Sequence, residues 1–163
     1  MYRMASLLSR TYSFRLTIFL SAIAMCTGGL IYILLRPSEY VFFGWISMAG
    51  FDHWISPARS LSPAFSQLFP DWIIFSLPNG LWAFAYALLI TRIWSGSNSW
   101  LKYFWMASIP IIVLGFELLQ YPRIIPGTFC IQDIVFGVLG LVLGIFIGTI
   151  KTKNNNYHEK AFE

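Results

Sequence analysis

Residues Leu16–Leu35 read LTIFLSAIAMCTGGLIYILL, twenty positions without a charge. An α-helix rises about 1.5 Å per residue, so a run of this length matches the roughly 30 Å hydrocarbon core of a bilayer. Three further apolar runs follow, at about 72–93, 103–119 and 131–150. The composition agrees: of 163 residues, 57% are hydrophobic, 18% aromatic and only 11% charged. A soluble domain carries about 25% charged residues. So short and apolar a chain cannot cover itself with polar surface, and lipid must be its solvent. The expected fold is all-α: one domain, a four-helix integral membrane bundle over 16–150.

Residues 1–15 carry Arg3, Arg10 and Arg15 and no acid. A basic head before an apolar run is also the shape of a signal peptide. This run is long, lacks a small-x-small exit and ends in Leu34-Leu35-Arg36-Pro37, so it reads as a retained first helix. Tyr40–Phe51 is apolar and aromatic, but at about 12 residues it is too short to span. Phe42, Phe43, Trp45, Phe51 and Trp54 suit a membrane interface. This segment is expected to lie on the membrane, to re-enter it shallowly, or to pack on the helix ends. In the second run, Pro78 removes a backbone donor and crowds the preceding turn, which predicts a kink. Asn79 then either bonds the freed backbone or faces a cavity the kink opens. Pro110 predicts a bend in the third run. Residues 151–163 read as a polar tail.

The bases set an orientation. Four spans put both termini on one side of the membrane. That side holds Arg3, Arg10, Arg15, Arg92, Lys102, Lys151, Lys153 and Lys160; the other holds Arg36, Arg59 and Arg123. Basic loops stay inside, so both termini are expected to be cytoplasmic. The modest net charge of +4 is thus accounted for by membrane orientation, without nucleic-acid binding.

In such a chain the few polar groups carry the information. Glu117 and Gln120 stand at i and i+3 and share a helix face. Asp133 opens the next run after a short connection through Arg123 and Gly127, so the two helices should be antiparallel neighbours. Charged groups at membrane depth are costly and usually face a protein interior or a watery cavity. Glu117, Gln120 and Asp133, with Arg123 and Asp71, are therefore expected to form a polar corner at the outer ends of the spans. Such a corner suits head-group binding or acid–base chemistry. The purely structural alternatives are a Glu117–Arg123 pair that fixes the loop, and helix N-terminal roles for Asp71 and Asp133. Gly140, Gly144 and Gly148 recur every four residues and line one face of the last span. That face permits close helix packing within the chain, between copies, or with a partner helix.

The signatures of soluble enzymes are missing. The chain has no nucleophile elbow, phosphate loop, dinucleotide fingerprint or His–metal helix. Cys26 and Cys130 form no CxxC and have no metal-ligand spacing to His53 or His158. No cofactor and no metal are expected.

Glu117-Leu118-Leu119-Gln120 at the end of a span, then Gly127-Thr128-Phe129, then Asp133 with Gly140 and Gly144, resembles the VanZ-like membrane proteins. The match covers about 113–148 and extends weakly to Asp71 and Tyr86-Ala87-Leu88-Leu89. The family's turn arginine is Thr128 here, an acid often found in that turn is Cys130, and the asparagine four after the aspartate is Gly137. Its span-two histidine falls near Trp82 or Phe75. The resemblance implies a role for Glu117, Gln120 and Asp133, a place in the cell envelope, and an association with low-level teicoplanin resistance. It supplies no biochemical activity. Three expectations follow: an envelope protein that binds a lipid or head group at the corner; a membrane enzyme with Glu117 and Asp133 as acid and base; and an assembly subunit that docks a partner helix on the glycine face. A proton or ion pathway fits least, because the polar residues gather at one end.

Overall fold

The computed structural model describes residues 2–36, 41–60, 63, 66–125 and 127–150, and every regular element among them is helical. The order is α1 (Tyr2–Leu35), α2 (Val41–Met48), α3 (Asp52–Arg59), α4 (Asp71–Phe75), α5 (Leu77–Ile93), α6 (Leu101–Gln120) and α7 (Ile131–Thr149). Four stretches are long and apolar enough to cross a membrane: Phe14–Leu35, Asp71–Ile93, Leu101–Gln120 and Ile131–Thr149. The expected runs match these within about two residues, since helix ends are set by the polar turns around them. α1 runs unbroken from Tyr2 through the basic segment into the first span, with no Pro or Gly over residues 2–27. The expected polar tail, 151–163, lies outside the described residues.

α5 is the hub. It packs most extensively on α7, then on α1, and more lightly on α6 and α4. Pro78, Gly80, Ala83, Ala85, Ala87, Leu88, Ile90 and Thr91 of α5 are all buried. The other three spans turn large side chains outward: Phe19 and Leu30 on α1, Phe104 and Ile111 on α6, Val142 and Phe146 on α7. An apolar exterior of this extent requires lipid around it.

The glycine face explains the α5–α7 contact. A Cβ added at Gly140 would strike the carbonyl oxygen of Gly80, and one at Gly144 would sit 2.6 Å from that of Phe84. One at Gly148 would lie 2.8 Å from Thr91 Cβ. The contacts advance in the same direction on both helices, so α5 and α7 run parallel with their backbones nearly touching, as small residues allow in membranes. Gly137 plays the same part toward α6, where Val113 Cγ1 would stand 3.1 Å from an added Cβ. The face is thus occupied within the chain. α6 stays one helix through Pro110.

The aromatic segment forms two short helices clasped to the end of α1. Phe43 is buried and its ring centroid lies 6.2 Å from that of Tyr32. Arg59, in the last turn of α3, donates to the carbonyls of Ile33 at 2.6 Å and Arg36 at 2.9 Å. These are among the last carbonyls of α1, which have no partner within their own helix. The same guanidinium lies 3.9 Å from the Phe43 ring centroid, within cation–π range. Met48, Phe51 and Trp54 face outward.

Candidate functional site

The site begins at a proline. Pro78 has no N–H, so the carbonyl of Ile74, four residues earlier, loses its helical partner. The second span breaks there into α4 and α5, with Ser76 between them. Arg36, buried at the end of α1, fills the break. It donates through Nε to the Ile74 carbonyl at 3.4 Å and through Nη2 to that of Phe75. Its guanidinium also lies 4.3 Å from the Tyr32 ring centroid. Arg36 rather than Asn79 therefore completes the broken ladder, and Asn79 faces a cavity. The sequence signal for this was the freed carbonyl itself; only the tertiary fold says which donor reaches it.

That cavity encloses about 990 Å³ between α1, α4–α5, α6 and the start of α7. Asp71, Asn79, Glu117, Gln120 and Asp133 all line it, as do Arg36 and Ser76. Glu117 is buried, and it accepts a 3.4 Å hydrogen bond from the backbone N–H of Cys130, the residue that opens α7. Asp133 and Arg36 line the same cavity, close enough for their charges to act on Glu117. Asp133 sits in the first turn of α7 and makes no capping bond; its Oδ1 is buried without a partner. Asp71 likewise makes no capping bond at α4. Gln120 is set by Gly127: an added Cβ there would fall 2.6 Å from Gln120 Cδ. With φ at 144°, Gly127 holds a conformation open to few other residues.

Deeper in, the walls change character. Trp82 crosses to α1, where Gly28 leaves it room, and donates from Nε1 to the Met25 carbonyl at 3.3 Å. Tyr86 is held to Ser108 of α6 by a 2.7 Å hydrogen bond. Beyond them the lining is Ala85, Leu89, Met25 and Ile112.

Arg123 does not join the corner. It is exposed and lies outside the cavity lining. The reason is local. Arg123 has φ 59°, with Arg123 N–H on the Gln120 carbonyl and Ile124 N–H on that of Leu119. This is the helix-ending turn that normally takes glycine at the left-handed position. The turn spends Arg123 on ending α6, and in place of the alternative Glu117–Arg123 pair Glu117 accepts from the Cys130 N–H. Sequence reading missed Arg36 and Ser76. Among the described residues, no three His, Cys, Asp or Glu side chains converge as metal ligands would; Asp71 stands apart from the Glu117–Asp133 pair.

Fold and site together define a multi-pass membrane bundle with an acid-lined pocket at the end where α4 and α7 begin. No family model matches the chain, and neither does any curated protein or solved structure.

Proposed function

We propose that the chain is a VanZ-like membrane protein of the cell envelope, with cytoplasmic termini and an outward-opening pocket that binds a lipid or envelope head group. The observation that carries this reading is one cavity lined by Glu117, Gln120, Asp133 and Asp71, with Asp133 Oδ1 and Ser76 Oγ buried and unpartnered. Orphan polar groups in a walled space of this size need partners, and a bound head group supplies them. The excess of bases at the opposite end supports the orientation. The resemblance over 113–148 supports the envelope setting.

The test is Glu117→Gln, which keeps shape and removes charge. Lipids that co-purify with wild type and variant are compared by mass spectrometry, alongside whole-envelope lipid profiles. The reading expects a species enriched on wild type and depleted on the variant, at equal melting temperature. Identical lipid profiles would sink it. A second reading, acid–base catalysis by the carboxyls of Glu117 and Asp133, rests on their place in one cavity. It requires that the same variant accumulate an unmodified envelope lipid. Docking of a partner helix has less support, since Gly140, Gly144 and Gly148 are covered by α5.

A further inference from the structure

Resting on the pocket reading above, we infer that the occupant is a whole lipid with a primary-ammonium head group, entering sideways between α1 and α6. Two independent sets of observations lead there.

The first is the shape of the cavity. α1 packs on α3, α4 and α5, whereas α6 packs on α5 and α7. The cavity lies between them, over α5. Met25, Ile112 and Phe116 line it, yet they are 54%, 46% and 62% exposed. Side chains that both line a cavity and face outward mark its mouth, and this mouth lies on the bundle flank, at membrane depth. From Ser76 to Leu89 the cavity follows α5 for about 20 Å, somewhat more than one leaflet of a 30 Å hydrocarbon core. One end is polar and the other apolar. A free head group would leave the apolar half unfilled; an amphiphile matches both halves.

The second is the chemistry of the polar end. Its ionisable groups are Asp71, Glu117, Asp133 and Arg36, three acids to one base. The base is already engaged with the carbonyls of Ile74 and Phe75. Carboxylates only accept hydrogen bonds, and Asp133 Oδ1 is buried without a donor. Ser76 Oγ, on a residue 0% exposed, is also unpartnered and lines the same space. A ligand that brings donors and positive charge satisfies this end: Asp133 Oδ1 can only accept when ionised, and the Ser76 hydroxyl can accept as well as donate. A primary ammonium brings three N–H donors and one charge, and the buried Arg36 in the cavity wall leaves a positive charge for the phosphate of a zwitterionic head.

The experiment is native mass spectrometry of the full chain, stripped of lipid in detergent and titrated with phosphatidylethanolamine, phosphatidylglycerol or soluble glycerophosphoethanolamine. Phosphatidylethanolamine should bind at least about tenfold more tightly than phosphatidylglycerol, since a misplaced charge or missing donor costs that much in a desolvated site. Asp133→Asn should bring the two lipids within about twofold. Should that variant unfold, Asp71→Asn at the exposed rim serves in its place. Leu89→Trp, which fills the apolar end, should weaken both lipids alike and keep their ratio. The soluble head group should not compete. Equal or better binding of phosphatidylglycerol overturns the ammonium assignment. Competition by the soluble compound, or indifference to Leu89→Trp, overturns the whole-lipid assignment. The pocket reading survives either failure so long as Glu117→Gln still changes the retained lipid; no lipid bound to wild type at all overturns both.

Discussion

Consider an alanine series through the glycines, because the structure ranks them before any measurement. At Gly144 an added Cβ would meet the Phe84 carbonyl oxygen at 2.6 Å and the Leu88 nitrogen at 2.9 Å. Ordinary contact starts near 3.4 Å, so α5 and α7 must part by about 0.8 Å there, against packing that does not deform smoothly. Overpacking of this kind costs about 1–3 kcal/mol. Alanine returns roughly 0.5–1 kcal/mol by stiffening the helix backbone. The net for Gly144→Ala is a loss of about 1–2 kcal/mol. Gly140→Ala should lose more, because the approach to the Gly80 carbonyl is closer than any at Gly144. Gly137→Ala meets only Val113 Cγ1 at 3.1 Å and should fall near zero. Gly115 and Gly29 have nothing within 4 Å; there only the propensity gain remains. The assay is reversible unfolding from mild-detergent micelles by titrated SDS, followed by far-ultraviolet circular dichroism. If Gly140→Ala proves as stable as Gly115→Ala, α5 and α7 do not pack as described.

Arg36→Met should destabilise by about 1–3 kcal/mol, the cost of leaving buried carbonyls unpaired. Pro78→Ala restores an N–H for the Ile74 carbonyl, so the loss should shrink by 1 kcal/mol or more in that background, read as a double-mutant cycle; strict additivity would refute the pairing. Arg123→Gly should stabilise by about 1 kcal/mol, because a left-handed residue with a side chain costs about that much; a loss in thermal melting would mean that Arg123 has a partner. Arg59→Ala should raise hydrogen exchange across 41–59 while leaving α5 and α7 protected. For orientation, Cys130 lines the pocket and Cys26 is exposed on α1 within the span. A membrane-impermeant maleimide should label Cys130 in intact cells and spare Cys26; labelling of Cys130 only after permeabilisation would reverse the assigned sidedness.

Much of the fold was legible because lipid makes strict demands. Uncharged runs of bilayer length become helices, and the polar turns between them fix the ends. The gathering of Glu117, Gln120 and Asp133 followed from helical spacing and a short connection. What stayed hidden needed a partner distant in sequence. Four-residue spacing shows that Gly140, Gly144 and Gly148 share a face, but not that α5 covers it. Pro78 announces an unpaired carbonyl, but not that Arg36, some forty residues earlier, will reach it. Arg123 misled because charge suggested an ion pair, while backbone geometry assigned it to a turn. The aromatic stretch 40–51 left several placements open because its packing depends on Arg59, beyond its own end.

The parallel pairing of α5 with α7 also has a consequence for how the chain is made. α5 is made before α6 and α7 and belongs to the most buried of the four described spans. Its largest interface is with the last span. Gly80 meets Gly140 only after about sixty more residues are synthesised, roughly 3–12 s at 5–20 residues per second. For that interval the broken turn at Ser76, the glycine groove and Asn79 must be sheltered without α7. Among the described spans α1 precedes α5, and Arg36 and Trp82 bind α1 to α4 and α5. The α1–α5 contact is thus complete before α7 is made, and one wall of the pocket precedes the span that closes it.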